Sequence, residues 1–359
     1  MPLPLVDPAP ALSDAEQART ARHQRLAGLG PVGQRRIAAA RVGVIGAGGL
    51  GSPVVLALAA AGVGELVVFD DDDVDASNLQ RQVIHRRQDV GRPKTDSAER
   101  VASDLSATRV RAVRTRLTQE NAAGLLDSVD LVLDGTDSFE SREIVAAACE
   151  RLGLPLVWGT VQEFAGMVTV FWTDPPTGYA PVRLHDLYPA GSEAPACSAV
   201  GVFGPLCLQV GSLMAAEALK LITGIGRPLI GRVALIDALA GTQREAPLRG
   251  VDAAPAQTPA PPRPVPEVDE PGDAVVIDVR EAYELEAGTV PGARHRPLDA
   301  LLADVDAITR EVAGAPVVVV CQVGARAQVA ARALRSAGVT ASVLRGGMDG
   351  WTSRRGTQA

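Results

Sequence analysis

The sequence predicts an α/β protein of two domains, and three features carry that prediction. An apolar run at 42–45, a glycine-rich turn and an alanine-rich segment at 53–62 read as strand, turn and helix. Strand-like and helix-like segments then alternate through the first two thirds of the 359 residues. A proline-rich stretch precedes a second alternating series, and the chain is longer than a usual single domain. We therefore expect a doubly wound domain at 1–245, a linker at 246–272 and a smaller α/β domain at 273–359.

The composition is that of an ordinary soluble protein, with 47% hydrophobic and 21% charged residues. A net charge of −7 argues against nucleic acid or an anionic membrane as the main partner. Residues 1–14 contain prolines and acids but no basic segment followed by an apolar one, which argues against a secretion signal. The apolar run at 54–68 is too short and broken to span a membrane. We expect a cytoplasmic protein that crosses no bilayer.

The four cysteines, Cys149, Cys197, Cys207 and Cys321, form no CxxC pair. Cysteine-rich zinc sites usually contain such pairs, so we expect no structural zinc. A disulfide framework does not suit a large cytoplasmic chain. Cys149 and Cys207 lie in apolar helical segments, so we expect them in the core.

The glycine-rich turn has GxGxxG spacing, which predicts a nucleotide phosphate site. Glycine lets the backbone approach a phosphate, and the first N–H groups of the following helix point at it with the positive end of the helix dipole. The next apolar strand, 65–69, leads into Asp70, about 20 residues past the glycines, where such folds place the carboxylate that binds ribose. A turn that only packs a helix close to a strand is the alternative. The glycines expected at the phosphates are Gly46, Gly48, Gly49 and Gly51.

Two cations after the ribose acid favour a triphosphate over a dinucleotide. A polar segment at 74–82 contains Arg81, and a second basic element at 90–94 contains Lys94. Arginine offers a forked donor and lysine a point charge, and both suit phosphate oxygens. A NAD-dependent oxidoreductase is the rival interpretation, and it rests on the glycine pattern alone.

A buried strand at 129–134 leads into an acid-rich turn that contains Asp134 and Asp137. In a doubly wound sheet the carboxyl ends of the strands form the ligand crevice, so both acids should face the phosphates. Asp137 is the predicted magnesium ligand. The alternative is a turn in which aspartate bonds its own backbone.

The remaining elements continue the alternation. Residues 11–40 read as helical with several arginines, for which a solvated basic face is the alternative to a role at the site. The stretch 173–196 is too long for a simple connection, so we expect a functional loop, with Cys197 at its end. The other predicted helices are 98–105, 122–126, 141–152, 200–221 and 325–337, and the other strands are 110–114, 154–159, 166–172, 232–237, 274–279, 316–321 and 341–344.

Cys321 follows the apolar run 317–320 and precedes a helix, which is the arrangement of a nucleophilic or sulfur-carrying thiol. Such a loop directs backbone N–H groups, the helix dipole and Arg326 at the sulfur, and these stabilise a thiolate or a persulfide anion.

The first domain resembles the MoeB/ThiF family over roughly residues 11–245. These are bacterial relatives of the ubiquitin-activating enzymes, and they adenylate the C-terminal glycine of a small β-grasp sulfur-carrier protein. The ordered motifs that carry the resemblance are the glycine turn 46–51, Asp70, Ser77-Asn-Leu-Gln-Arg-Gln82, Gly91-Arg-Pro-Lys94, Asp134-Gly-Thr-Asp137 and the pair Arg19 and Arg22.

The resemblance implies ATP and magnesium as cofactors and gives roles to individual residues. It places Asp70, with Asp72 nearby, at the ribose, and Asp137 at magnesium. It places Asn78, Arg81 and Lys94 at the phosphates. It also implies a homodimer, because the family's equivalent of Arg22 reaches into the partner's ATP site, and Arg19 is the weaker candidate for that role. In the family, a cysteine at the position of Cys197 can accept the acyl group or form a bridge through sulfur. The alternative is that Cys197 has no role in the reaction.

The C-terminal part resembles a rhodanese domain. The matching pieces are Asp278-Val-Arg-Glu281, Glu284, Val290-Pro-Gly-Ala293 and the loop Cys321-Gln-Val-Gly-Ala-Arg326. In the families that it resembles, this loop length suits sulfur and one more residue suits phosphate, so a phosphatase is the lesser alternative. Ala327 stands where a serine or threonine is usual, and Thr289 where a histidine is usual, which leaves a non-catalytic scaffold as a further alternative.

Together the two resemblances imply the architecture of the MoeB–rhodanese fusions. The implied function is adenylation of a sulfur carrier, followed by sulfur transfer from a Cys321 persulfide to give a thiocarboxylate. The implied partners are a MoaD-, ThiS- or CysO-like carrier and a sulfur donor, either thiosulfate or a persulfide-bearing protein. Ser138 replaces a common asparagine, and the regions that hold zinc in many relatives, 179–183 and 244–247, lack cysteine.

Overall fold

The computed structural model of the chain describes residues 3–189, 201–250 and 265–356. These residues form two compact units. The N-terminal unit comprises 3–189 with 201–250, and the C-terminal unit comprises 265–356.

The N-terminal unit contains an eight-stranded sheet whose order is β3-β2-β1-β4-β5-β6-β7-β8. The first five strands in this order pair in parallel, and β6, β7 and β8 are added antiparallel. The crossing of the order at β1 is that of a doubly wound sheet, which confirms the predicted Rossmann-like fold. The strands are β1 (Arg41–Ile45), β2 (Glu65–Phe69), β3 (Arg109–Val113), β4 (Leu131–Asp134), β5 (Leu156–Gln162), β6 (Ala165–Phe171), β7 (Arg232–Asp237) and β8 (Thr242–Pro247).

Nine helices of this unit fall within the described residues. They are α1 (Asp14–Arg19), α2 (Ala21–Gln24), α3 (Gly30–Ala39), α4 (Gly51–Ala61), α5 (Lys94–Leu105), α6 (Ala122–Leu126), α7 (Phe139–Leu152), α8 (Leu184–Leu187) and α9 (Gly204–Thr223). The single helical stretch predicted at 11–40 is wrong in detail, because α1 ends at Arg19 and Gly28, with φ of +86°, separates α2 from α3. The predicted loop at 173–196 contains α8, and Cys197 lies outside the described residues.

The core of this unit lies between the sheet and its helices. Strands β1, β2 and β4 are buried almost throughout, as their β-branched residues predict. Helix α9 packs against α4, β5 and β6. By length and apolar composition α9 could span a membrane, but 61% of its apolar window is buried within the unit, as in a core helix.

The C-terminal unit is a five-stranded parallel sheet of order β11-β10-β12-β13-β9. Its elements are β9 (Glu267–Val268), β10 (Val275–Asp278), β11 (Arg294–His295), α10 (Leu298–Ala303), α11 (Val305–Val312), β12 (Val317–Val320), α12 (Ala325–Ser336), β13 (Ala341–Leu344) and α13 (Gly347–Gly356). The short strand β9 lies inside the range assigned to the linker. It pairs with β13, and Val265 beside it is 3% exposed. Tertiary contacts therefore form this strand, and the proline-rich sequence around it does not predict them.

Candidate functional site

The glycine turn follows β1 and is closed by contacts that only glycine permits. Gly46 has a φ of +84°, and its N–H donates to the Phe69 carbonyl at 2.8 Å. A Cβ on Gly51 would lie 1.7 Å from the Gly46 carbonyl oxygen, so any side chain there would displace the backbone. At Gly48 and Gly49 an added Cβ would meet its nearest neighbours only at 3.7 and 3.3 Å. The tight closure therefore depends on Gly46 and Gly51.

Three side chains hold the backbone N–H and carbonyl of Ala47, inside this turn. Its N–H donates to Asp70 Oδ2 at 2.7 Å. Its carbonyl accepts from Ser52 Oγ at 3.0 Å and lies 3.2 Å from His85 Nε2. His85 is 7% exposed, and burial lowers the pKa of its imidazole to about 4. The ring is therefore neutral near pH 7, and its Nε2–H donates to the carbonyl. The structure therefore makes this histidine part of the frame of the turn.

Asp70, the predicted ribose ligand, also shapes the site. Its second oxygen, Oδ1, accepts from the Asp72 N–H at 2.9 Å. Burial raises the pKa of the Asp70 carboxyl, and the charge of Lys94 opposes that shift. A carboxylate oxygen can accept more than one hydrogen bond, so these contacts leave acceptor capacity for a ribose hydroxyl.

The two predicted phosphate cations contact different parts of this frame. Lys94 begins α5 and is 7% exposed, and its Nζ lies 2.6 Å from Asp72 Oδ2. Arg81 donates from Nη1 to the Ser77 carbonyl at 3.2 Å, and its Cδ lies 3.6 Å from the Cβ position of Gly49. Arg81 therefore runs beside the glycine turn.

Asn78 stabilises the loop that carries Arg81. It ends the short 3-10 turn Ala76–Asn78, and its Oδ1 accepts from the Asp75 N–H at 3.1 Å. Its amide nitrogen is the group left for a phosphate.

The acid-rich turn after β4 lies against the glycine turn. Residues Ile45 and Asp134 pair where β1 and β4 end, and a Cβ on Gly135 would lie 2.6 Å from Leu50 Cβ. Asp134 is fully buried, its Oδ1 accepts from the Thr136 N–H at 2.9 Å, and burial raises the pKa of its carboxyl. Asp137 is exposed. The alternative of an aspartate that bonds its own turn therefore applies to Asp134, and Asp137 keeps its side chain outside the turn.

Arg142, in the first turns of α7, was not predicted. It is 4% exposed, and its Nε and Nη2 donate to the Thr136 carbonyl at 3.1 and 3.0 Å. Its Nη2 also donates to Thr160 Oγ1 at 2.9 Å, and its guanidinium carbon lies 5.4 Å from the centroid of the Trp158 ring. An arginine five residues after an acidic turn has no sequence signature that separates it from a surface arginine.

The two N-terminal arginines differ in their surroundings. Arg19 pairs with Glu16 at 2.6 Å and donates to the Ala60 carbonyl, so it fastens α1 to the end of α4. Arg22 is exposed on α2, and no bond of its side chain occurs within the described residues. Of the two, only Arg22 has a side chain that is available to contact another chain.

In the C-terminal unit the loop after β12 wraps around a sulfur atom. Cys321 is 1% exposed, and its Sγ accepts from the N–H groups of Gly324 at 3.2 Å and Ala327 at 3.4 Å. Helix α12 begins at Ala325, so its positive end points at the sulfur. The N–H of Ala327 makes this contact without a side-chain hydroxyl.

Arg326 points at an acid as well as lying near the sulfur. Its two terminal nitrogens donate to Glu284 at 2.7 and 2.6 Å, and this pair lowers the pKa of the Glu284 carboxyl. The charge of the Cys321 sulfur also contributes to the raised pKa of Arg326, after the larger effect of Glu284. The sequence predicted Arg326 at the sulfur and did not predict its contact with Glu284, which spans 42 residues of sequence.

A buried ion pair contacts the loop that follows β12. Arg280 and Asp278 are each 1% exposed and lie 2.8 Å apart. Arg280 Nη1 donates to Gln322 Oε1 at 3.2 Å, and the Gln322 amide donates to Asp349. The residue that follows Cys321 is thus held from two sides.

Comparisons with known proteins agree with this division. Residues 20–254 match the ThiF family and residues 267–354 match the rhodanese-like domain. The chain is 39% identical to a probable adenylyltransferase/sulfurtransferase MoeZ of Mycobacterium tuberculosis, over 98% of this chain and 96% of that protein. It is 44% identical to a sulfur carrier protein adenylyltransferase of Thermus thermophilus, over 65% of this chain and 88% of that protein.

Solved structures show the same fold at greater distance. The crystal structure of PaaA matches with a TM-score of 0.57 and 20% identity, and the match covers 67% of this chain and 86% of the PaaA chain. Escherichia coli MccB with ATP has a TM-score of 0.56 and 20% identity, and covers 66% of this chain and 72% of its own.

Proposed function

Because the chain belongs to the ThiF family and carries a rhodanese-like domain, we propose that it adenylates the C-terminal glycine of a sulfur-carrier protein and then transfers sulfur to it. The observation that carries the proposal is the presence of two prepared sites in one chain. One is a glycine turn flanked by Arg81 and Lys94, and the other is a sulfur atom held by backbone N–H groups. A relative that matches nearly the full chain carries both activities in its name.

Adenylation activates a carboxylate, which is otherwise a poor electrophile. A carboxylate oxygen attacks the α-phosphorus of ATP, the bond from that phosphorus to the bridging oxygen breaks, and pyrophosphate leaves with the electron pair. The carboxylate is already ionised, so the step needs no general base. The step requires that the negative charge of the phosphates is neutralised, and this is the role proposed for Arg81 and Lys94.

Asp137 is the proposed magnesium ligand. It is exposed and lies two residues after Gly135, which packs against Leu50 of the glycine turn. Mg²⁺ prefers a few carboxylate oxygens together with phosphates and water. When bound, magnesium neutralises charge on the phosphates. Asp134 does not suit this role, because it is fully buried and bonded within its own turn.

The second half-reaction starts with a persulfide on Cys321. The Cys321 thiolate attacks the outer sulfur of thiosulfate and sulfite leaves, or it attacks the outer sulfur of a protein persulfide and the donor's thiolate leaves. The N–H groups of Gly324 and Ala327 stabilise the anionic sulfur. The terminal sulfur attacks the acyl carbon and AMP leaves. A second thiolate then attacks the Cys321 sulfur of this acyl disulfide, which releases the thiocarboxylate and leaves a disulfide that an external thiol reduces. The resemblance offers Cys197 for that step.

The alternatives receive less support. The relatives favour adenylation over an NAD-dependent oxidation. A scaffold with an inactive rhodanese was motivated by Ala327, yet the contact from residue 327 to the sulfur comes from the backbone and survives the loss of a hydroxyl.

We further propose a cytoplasmic homodimer in which Arg22 completes the partner's ATP site, since Arg22 is exposed and Arg19 is not free. Mixing an Arg22→Ala chain with a Lys94→Ala chain should restore part of the carrier-dependent ATP–pyrophosphate exchange. One of the two hybrid sites is then intact. If verified heterodimers recover no activity, the arginine does not act across the dimer.

The function itself is tested with the full chain, ATP, Mg²⁺ and candidate carriers of the ThiS and MoaD kinds. We expect carrier-dependent ATP–pyrophosphate exchange and, with thiosulfate or a protein persulfide, replacement of one oxygen by sulfur on the carrier in its intact mass. Exchange that requires no carrier, or bound NAD in the purified protein, would contradict the proposal.

A further inference from the structure

Only two arginines are fully buried within the described residues, and their surroundings differ. Arg280 is 1% exposed and is neutralised by Asp278, whose carboxylate lies 2.8 Å away. Arg142 is 4% exposed and makes no ion pair with any described carboxylate. A guanidinium is always charged, and a buried charge without a counter-ion is costly. The fold keeps one such charge in the N-terminal unit.

The partners of Arg142 are neutral and do not use the whole guanidinium. Nε and Nη2 donate to the Thr136 carbonyl and to Thr160 Oγ1, and Trp158 covers one face. Nη1 makes no hydrogen bond within the described part of the chain. Asp134 lies close enough for Arg142 to lower the pKa of its carboxyl, but no hydrogen bond or ion pair joins them there. The third nitrogen and the net charge therefore remain for a ligand.

The position of Arg142 indicates which ligand. It lies in α7 at the edge where β4 and β5 end, and its contact with Thr136 joins it to the turn that carries Asp137. The rings of Trp158 and Phe139 each lie 5.7 Å from the ring of Tyr188 beside this guanidinium. Aromatic rings exclude water, and a charge-assisted contact is stronger where water is absent.

The adenylation reaction contains one anion besides ATP, the carboxylate of the carrier. This carboxylate must approach phosphates of the same charge. The cations proposed at the phosphates, Arg81 and Lys94, already bind the phosphate oxygens. Resting on the proposed function, we propose that the guanidinium of Arg142 binds the C-terminal carboxylate of the sulfur-carrier protein and holds it for attack. Arg142 is then a substrate-binding residue whose donors to Thr136 also fix the magnesium turn.

The test compares two forms of one ligand on the full chain without ATP. A ThiS-type carrier that ends in glycine is prepared with a free C-terminal carboxylate and with a carboxamide, and both dissociation constants are measured by calorimetry. The wild-type chain should prefer the carboxylate by about 10-fold or more, the scale of a hydrogen bond to a charged group. Arg142→Met should bind both forms alike, because it removes the charge and keeps the length.

Two further variants separate this contact from a structural role. Thr160→Val removes a neutral partner of Arg142 and should keep the wild-type preference. Arg142→Lys keeps a point charge without the fork and should show a reduced preference above one, which also serves if Arg142→Met does not fold. An Arg142 variant whose preference equals that of the wild type, even with weaker binding of both forms, overturns the inference.

The same measurements distinguish failure of the inference from failure of the function. A wild-type chain that adenylates the carboxylate carrier but binds both forms equally overturns the inference alone. A wild-type chain that binds neither form and adenylates no carrier overturns the proposed function, and the inference with it.

Discussion

The two units build their sites on the same local device, a parallel strand that runs into a loop and then a helix, but they hold the loop in different ways. After β1 the turn is fixed by side chains from distant segments, Asp70 and His85 among them. After β12 the sulfur itself accepts two N–H groups from residues three and six positions later, and Arg280 and Asp349 hold only the neighbouring Gln322 side chain. Function should therefore be spread over many residues in the first site and concentrated on one in the second.

The largest expected effect tests the concentrated site. Cys321→Ser should reduce thiocarboxylate formation from thiosulfate or a persulfide donor below detection, because serine cannot hold a transferable sulfur. Carrier adenylation should continue at the wild-type rate, since every predicted ATP ligand lies before residue 245. Intact mass of the carrier reads the first outcome and ATP–pyrophosphate exchange reads the second.

The matched control is Cys149→Ala, because burial raises the pKa of the Cys149 thiol and makes it inert. If Cys321→Ser still produces thiocarboxylate at the wild-type rate, the sulfur role is wrong for Cys321, and Cys197 is the next residue to replace.

The second prediction tests the distributed site. Lys94→Ala should lower carrier-dependent ATP–pyrophosphate exchange by at least about 100-fold, the scale for losing a charged contact in the transition state. Replacing Arg81 or Asp137 by alanine should have effects of similar size, because each supplies a separate part of the charge neutralisation.

Arg87→Ala is the charge-matched control, since Arg87 is exposed on a neighbouring turn. Persulfide formation on Cys321 should be unchanged in all four variants. Wild-type exchange in the Lys94, Arg81 and Asp137 variants together would refute the assignment of the ATP site.

The sequence predicts the local parts of both sites and misses the tertiary ones. The glycine spacing, Asp70 and the Cys321 loop are short motifs whose chemistry follows from neighbouring residues. The pair Arg326 and Glu284 and the bond from His85 to Ala47 join residues 42 and 38 positions apart, and no local pattern encodes them.

The same limit applies to the fold. The alternation of strands and helices predicted a doubly wound sheet. Strand β9 was missed, because two residues beside prolines carry too little pattern. Arg142 forms no ion pair with a carboxylate of the described residues, and no local pattern distinguishes it from a surface arginine.

The third prediction compares the two loops through their glycines. Gly51→Ala places a Cβ 1.7 Å from a backbone oxygen, so the turn must shift. Gly324→Ala meets nothing within 4 Å, and its cost is only the φ of +108°. We expect losses of about 3 kcal/mol or more for the first and about 1–2 kcal/mol for the second in the unfolding free energy of the respective unit.

Hydrogen exchange with mass spectrometry reads each unit separately within the full chain. A larger loss at Gly324 than at Gly51 would show that backbone conformation, and not close approach, limits these turns.

The last prediction concerns pH and the imidazole that frames the first turn. His85 has its pKa lowered from 6.5 to about 4, so the folded protein binds fewer protons than the unfolded chain between these values. Its neutral form therefore stabilises the fold fully above pH 6.5, and this contribution is lost as pH falls towards 4. Between pH 7 and pH 5 the unfolding free energy of the N-terminal unit should fall by about 2 kcal/mol from this group.

His85→Gln removes the titration and can keep a donor for the Ala47 carbonyl, so its stability should fall less over the same interval. The difference between the two pH slopes, measured by urea unfolding followed through hydrogen exchange of residues 41–62, isolates the imidazole from the carboxylates that titrate nearby. A His85→Gln slope equal to that of the wild type would mean that the ring protonates without leaving Ala47. His85 would then hold the Ala47 carbonyl in both of its protonation states.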